Sequence, residues 1–306
     1  MASPAQLPEL QIQDLLDAGL HFGHQTRRWN PKMDKYIYGA KNGVYIIDLA
    51  KTHSGLRNAQ KFIYDTVAQG RQVLFVGTKR QAQGPIVEIA QRFNQPYVVN
   101  RWLGGLLTNN TTIQKGVARL KELERMDADG SLDKLESKKE ASTLRREMSK
   151  LAKNLSGLSS MSRLPAALLV IDTVRESIAV KEANTLGIPV VGLVDTNADP
   201  EEVQYCIPGN DDGTRSVRLV VEFLGETIQH ASNEYAKIAA EESRKRSIAE
   251  AEEAEKRKAV EAERKTRQEK EKKARAEAIK ARKAEESKPA DAAAPEAPAA
   301  DATPTE

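Results

Sequence analysis

Two stretches of the chain, AALLVIDT (166–173) and IPVVGLVDTN (188–197), are apolar at almost every position. A strand with one wet face alternates apolar and polar residues, whereas a strand covered on both faces does not need to. Between them, VRESIAVKEANTLG reads as an amphipathic helix closed by Gly187 just past its last turn. The pattern repeats upstream. RQVLFVGT (71–78) reads as a strand, QAQGPIVEIAQRF as a helix with Pro85 near its start, and PYVVN (96–100) as another strand. VYIIDL (44–49) is a further strand, residues 52–69 a helix, and TRSVRLVVEFLGETI (214–228) a final helix. Strands alternating with helices predict an α/β fold, a parallel sheet with helices on both faces.

One segment breaks the alternation. Ile113, Val117, Leu120, Leu123 and Met126 lie at helical spacings, and Leu144, Met148, Leu151, Leu155 and Leu158 repeat with a four-three step. That step is the signature of a coiled-coil seam, and DADGSLD between the two series has turn chemistry. The prediction is an antiparallel helical hairpin over 113–158, inserted into an α/β domain formed by 1–112 and 159–230. Beyond it, 231–288 is rich in Ala, Glu, Lys and Arg, with Glu-first pairs such as Glu253–Arg257 four residues apart. This predicts a solvated helix or a disordered tract with helical bias. The Ala- and Pro-rich residues 289–306 are expected to be a disordered tail.

Composition narrows the functional classes. The single cysteine, Cys206, excludes a disulfide framework within the chain and a cysteine-rich zinc site. MASPAQLPELQIQD has neither the cationic start nor the apolar run of a secretory signal. AALLVI (166–171) falls far short of the ~18 apolar residues of a membrane helix. A soluble, cytoplasmic protein with no membrane partner is expected. The net charge is only +3, but acids and bases balance over 231–306, so the excess lies in the first 230 residues, clustered in TRRWNPK, GTKRQ and VNRW.

Those clusters carry the functional reading. Arg27, Arg28, Asn30, Lys32 and Lys35 offer phosphate donors within one loop, and Trp29 offers a face on which an unpaired base can stack. VNRWLGGLLTNNTT repeats the cation–aromatic pairing in Arg101 and Trp102 and adds neutral donors at Thr108, Asn109 and Asn110. Lys79 and Arg80 follow a strand at the carboxyl end of the sheet, where open α/β sheets bind ligands. These features favour RNA over a nucleotide, since neither a dinucleotide-binding nor a P-loop glycine pattern occurs. His21 and His24, with Asp195 and Asp212 from loops at the same sheet edge, form a candidate site for a Zn²⁺ or Mg²⁺ ion. Capping aspartates and ordinary hydrogen-bonding histidines would explain the same residues without a metal.

At these residues the chain resembles a known family. LLDAGLHFGHQTRRWNPKMDKYIYGAKNGVYIIDLAKT, VLFVGTKRQAQ, NRWLGGLLTNNTTI, AALLVIDTVRESIAVKEANTLGIPVVGLVDTNADP and IPGNDDGTRSVRL are similar, in order, to the blocks of bacterial small-subunit ribosomal protein S-two. The resemblance covers roughly residues 8–230 and implies a flavodoxin-like three-layer domain with an inserted coiled-coil hairpin. It implies a structural part of the small ribosomal subunit, with no catalysis, no required cofactor and no small-molecule substrate. The implied partners are small-subunit ribosomal RNA and neighbouring ribosomal proteins, including ribosomal protein S-one. The charged extension after residue 231 departs from the family's short ending. Two other readings compete: a nucleotide-binding module using Lys79, Arg80 and the Asp195 loop, and an adaptor whose hairpin and tail dock proteins.

Overall fold

The computed structural model describes residues 7–132, 137–161 and 163–285. The expected Ala/Pro tail lies outside them. The chain divides into two compact units, Met1–Ala239 and Ala240–Glu306.

The first unit opens with α1 (Ile12–Asp17), followed by β1 (Phe22–Gln25), β2 (Ile37–Lys41) and β3 (Val44–Ile47), which form a small antiparallel sheet in the order β1-β3-β2. Asn42 and Gly43 join β2 to β3, and both have positive φ, 53° and 76°. That is the backbone of a two-residue hairpin, and Asn-Gly is the pair that adopts it at least cost. VYIIDL is therefore a strand, but it belongs to this small sheet and not to the main one.

The main sheet has five parallel strands: β4 (Val73–Val76), β5 (Tyr97–Val98), β6 (Ala167–Ile171), β7 (Val190–Val194) and β8 (Tyr205–Pro208). Their order is β5-β4-β6-β7-β8, with register pairs such as Leu74 with Leu168, Leu169 with Val191 and Leu193 with Ile207. Every residue of β4, β6 and β7 is buried. Phe75, Leu169 and Leu193 point to one face, packed with Leu56, Ile63, Ile86, Ile89, Val220 and Leu224. These come from α2 (Leu49–Val67), α3 (Arg80–Arg92) and α7 (Thr214–Glu285). Leu74, Leu168 and Val190 point to the other face, against Val117, Leu158, Val180 and Ala183. Here α4 (Asn110–Ala128) and α6 (Ser177–Thr185) supply the helical side. Each fully buried side chain of this size contributes about 1.5–3 kcal/mol. Continuous apolar runs are thus what a sheet covered on both faces requires.

Among the described residues no strand lies between α4 and α5 (Lys138–Leu155). The two helices are joined by ion pairs between Arg119 and Glu147 at 3.1 Å and between Asp127 and Arg145 at 3.2 Å. In the second unit the described residues are helical. The Glu253–Arg257 pair forms at 2.8 Å on an exposed surface, where such contacts contribute only ~0.2–0.5 kcal/mol. Among the described residues no helix is long and apolar enough to cross a membrane.

Candidate nucleic-acid interface

Thr196 binds β1 and the segment after it to the main sheet through two backbone contacts. The amide of His24 donates to Thr196 Oγ1 at 2.9 Å, and the amide of Asn30 donates to the Thr196 carbonyl at 2.8 Å. This approach requires Gly23, because a Cβ there would sit 2.6 Å from Thr196 Cγ2. The glycine between the two histidines is thus the point of closest approach to the sheet. Beyond it, Pro31–Tyr36 forms a 3-10 turn capped by the Asn30 side chain, which accepts from the Lys32 amide at 3.0 Å.

The cations of this loop divide into exposed ones and one engaged by acids of the chain. Arg27 and Arg28 are exposed, with Arg27 Nε donating only to the Gln25 side chain at 3.0 Å. Lys35 is exposed, its ammonium 5.2 Å from the Tyr36 ring centre. Lys32, by contrast, is held by Asp199 at 2.7 Å and Glu201 at 2.6 Å. Trp29 packs against Tyr45 with ring centres 5.2 Å apart, which leaves it half-buried.

The second patch is organised around a residue that the sequence reading did not single out. The Glu182 carboxylate, on the sheet-facing side of α6, accepts from Trp102 Nε1 at 3.1 Å and from the amides of Gly105, Leu107 and Thr108 at 2.8, 3.0 and 3.3 Å. It also accepts from the Thr108 hydroxyl at 3.3 Å. Burial works to raise the Glu182 carboxyl, but these donors outweigh it and hold the group below the usual carboxylate range. Trp102 is therefore buried as part of this cage, only 6% exposed, and not presented for stacking. Arg101 beside it is exposed. Asn109 and Asn110 open α4, with Asn109 Oδ1 accepting from the Thr112 hydroxyl at 2.9 Å. An acid on the apolar stripe of α6, next to Ala179 and Ala183, was the available signal for Glu182.

At the carboxyl edge of the main sheet the cations turn inward. Arg80 is exposed, but the Lys79 ammonium lies 2.7 Å from Asp211, 2.5 Å from Asp212 and 3.3 Å from Asp172. Burial alone would lower the Lys79 amine, and the three carboxylates reverse that and raise it. Burial, aided by Asp195 and Asp172, pushes the Asp211 carboxyl up to about 7. His24 sits beside this cluster, with Nδ1 3.0 Å from Asp195 and Nε2 3.4 Å from Asp212. The Nδ1 contact is close but not aligned as a hydrogen bond, which leaves that buried nitrogen without a partner. The adjacent Asp195 carboxylate, with the charges of Asp211 and Asp212, raises the His24 imidazole against its burial. His24, Asp195 and Asp211 present ligand atoms within 4.8 Å of one another. His21 lies outside that group of three, and Asp212 is on the far side of the His24 ring, half-exposed.

The class defined by this geometry is an α/β protein whose sheet edge is closed by its own ion pairs, with free cations on the surrounding loops. The chain belongs to a family, described as ribosomal protein S2, whose model matches residues 15–231. It is 51% identical over 243 residues to the small ribosomal subunit protein uS2 of Koribacter versatilis, covering 79% of this chain and 80% of the relative. The protein of the same name from Acidothermus cellulolyticus is 54% identical over 217 residues, 71% of this chain and 79% of its own length. That from Syntrophobacter fumaroxidans is 56% identical over 211 residues, 69% and 77%. The family is one of ribosomal structural proteins, not enzymes.

Proposed function

We propose that the protein is a structural component of the small ribosomal subunit that binds ribosomal RNA through the exposed cations of its loops, Arg27, Arg28, Lys35, Arg80 and Arg101. The observation that carries this reading is the anchoring of the loop that bears exposed Arg101, with Trp102 and three backbone amides bonded to the Glu182 carboxylate. A positively charged side chain on an immobile loop contacts phosphate at little entropic cost. Lys32, Lys79 and Trp102 serve the fold in this reading, because their polar groups are spent on acids of the same chain. The five parallel strands, renumbered in chain order, run 2-1-3-4-5, which is the flavodoxin-like order. The α4–α5 hairpin is then a coiled-coil arm inserted after the second strand, and the helical extension a separate appendage. Docking of neighbouring ribosomal proteins, ribosomal protein S-one included, belongs to the same reading.

The test is binding of the chain to a small-subunit ribosomal RNA transcript across a salt series. Arg27→Ala and Arg101→Ala are each expected to weaken binding several-fold and to reduce the slope of log affinity against log salt by ~0.7–0.9. Both variants binding like the parent would overturn the assigned surface.

His24, Asp195 and Asp211 further suit a divalent ion. The buried Nδ1 of His24, which makes no aligned hydrogen bond although Asp195 lies 3.0 Å away, supports this, and an imidazole with two carboxylates favours Zn²⁺ over Mg²⁺, which prefers oxygen alone. Such an ion would neutralise the carboxylate pair and fix the β1 segment to the sheet. Dialysis against micromolar zinc followed by elemental analysis is expected to find one zinc per chain, and none in Asp195→Asn. An undecorated parent chain would remove the metal from the reading.

A further inference from the structure

We propose that α5 carries a second RNA-backbone contact, a cationic stripe of Lys139, Arg146, Lys150 and Lys153; this rests on the RNA-binding reading above and extends it outward along the helix. At 100° per residue these four positions fall within about 60° of one another, along about 21 Å of helix. All four side chains are exposed, and among the described residues none forms an ion pair. The seam residues Leu144, Met148, Leu151 and Leu155 lie on the opposite side, the last three packed with the core beneath the sheet.

The acids of the helix are kept off the stripe. Glu147 is turned to Arg119 of α4 at 3.1 Å, and Glu140 sits in the first turn, where its amide is capped by Ser137. The positions between the cations are Ser142, Thr143 and Ser149, all exposed and neutral. A helix that only needed solubility would intersperse both signs. Here one face is cationic and hydroxylated throughout, a surface complementary to a phosphate backbone.

The stripe is also continuous with the interface already described. The Asn100 side chain donates to the Lys153 carbonyl, which places the C-terminal end of the stripe beside Arg101. One backbone tracked from Arg101 would meet Lys153, Lys150, Arg146 and Lys139 in turn.

The experiment compares four full-length chains on a small-subunit ribosomal RNA transcript over a salt series. They are the parent, the stripe variant Lys139→Gln/Arg146→Gln/Lys150→Gln/Lys153→Gln, the loop variant Arg27→Ala/Arg101→Ala, and a charge control, Lys270→Gln/Lys272→Gln/Lys273→Gln/Arg275→Gln. The stripe variant is expected to bind at least tenfold more weakly at 0.15 M salt, with a salt slope reduced by about 3. Its thermal transition should not move, because exposed charges contribute little to folding. An unchanged slope in the stripe variant, with the loop variant impaired, overturns this inference and leaves the RNA reading standing. Equal losses in the stripe variant and the charge control also overturn it, because net charge alone would then explain both. Retained RNA binding with lost incorporation into small subunits overturns it too, by assigning the stripe to a protein partner. A parent chain with no salt-sensitive binding refutes the underlying reading instead.

Discussion

Glu182→Gln is expected to destabilise the first unit by about 2–4 kcal/mol, because a carboxamide cannot accept from all the donors now converging on the carboxylate. For a unit of this size that corresponds to a fall in Tm of roughly 5–15 °C. The pH dependence identifies the cause. The folded-state carboxyl titrates below its ordinary value, so its stabilisation is fully present above the unfolded value, about 4.3. It is lost as pH falls through the lower, folded value. The gap between parent and variant should be constant from pH 8 to pH 5 and narrow progressively as pH falls below the unfolded value. A gap that stays constant throughout the acid range in which the parent remains folded would mean the loss is one of packing. Weaker RNA binding by this variant would add a second distinction, since Glu182 is buried and touches no surface. Any such effect passes through Arg101, whereas Arg101→Ala should change binding and leave stability alone.

The contrast between these two neighbours shows what can be read from sequence. β4, β6 and β7 announce themselves because both their faces are covered, so no polar residue interrupts them. β1 and β2 do not, because FGHQ and IYGAK are short and partly exposed, with no alternation strong enough to mark a strand. The Asn-Gly pair at 42–43 was the readable signal for the second sheet, and it explains why β3 pairs antiparallel and not with the main sheet. β8 is also hidden, since YCIP is only four residues long and ends in proline. The site is harder still. A cation in a loop looks alike whether it faces solvent or an acid more than a hundred residues away, as Lys32 with Asp199 and Lys79 with Asp211 show. Sequence identifies the chemistry of such groups; only the topology of the sheet tells which are already neutralised.

Lys79→Met is the substitution with the other large expected effect. The ammonium is the only cation within 4 Å of the Asp211 carboxylate among the described residues, and the Asp211 side chain is 2% exposed. Removing it leaves the buried Asp211 carboxyl beside Asp172 and Asp195 without its ammonium partner. Breaking a buried pair in this way costs about 3–5 kcal/mol, more than the pair itself contributes over an apolar replacement. A urea titration should show a lower midpoint at unchanged slope. Asp211→Asn placed on top of Lys79→Met should recover part of the loss, since it takes away the uncompensated charge while keeping the side-chain volume. Failure of the double variant to recover would place the cost in the packing of the lysine stem. The same pair of variants separates the two roles open to Lys79 at a ligand-binding edge. A structural lysine, when lost, costs stability and leaves the salt slope of RNA binding unchanged; an RNA-contacting lysine reduces that slope by nearly one and leaves the urea midpoint unmoved. The three carboxylates around Nζ require the first outcome.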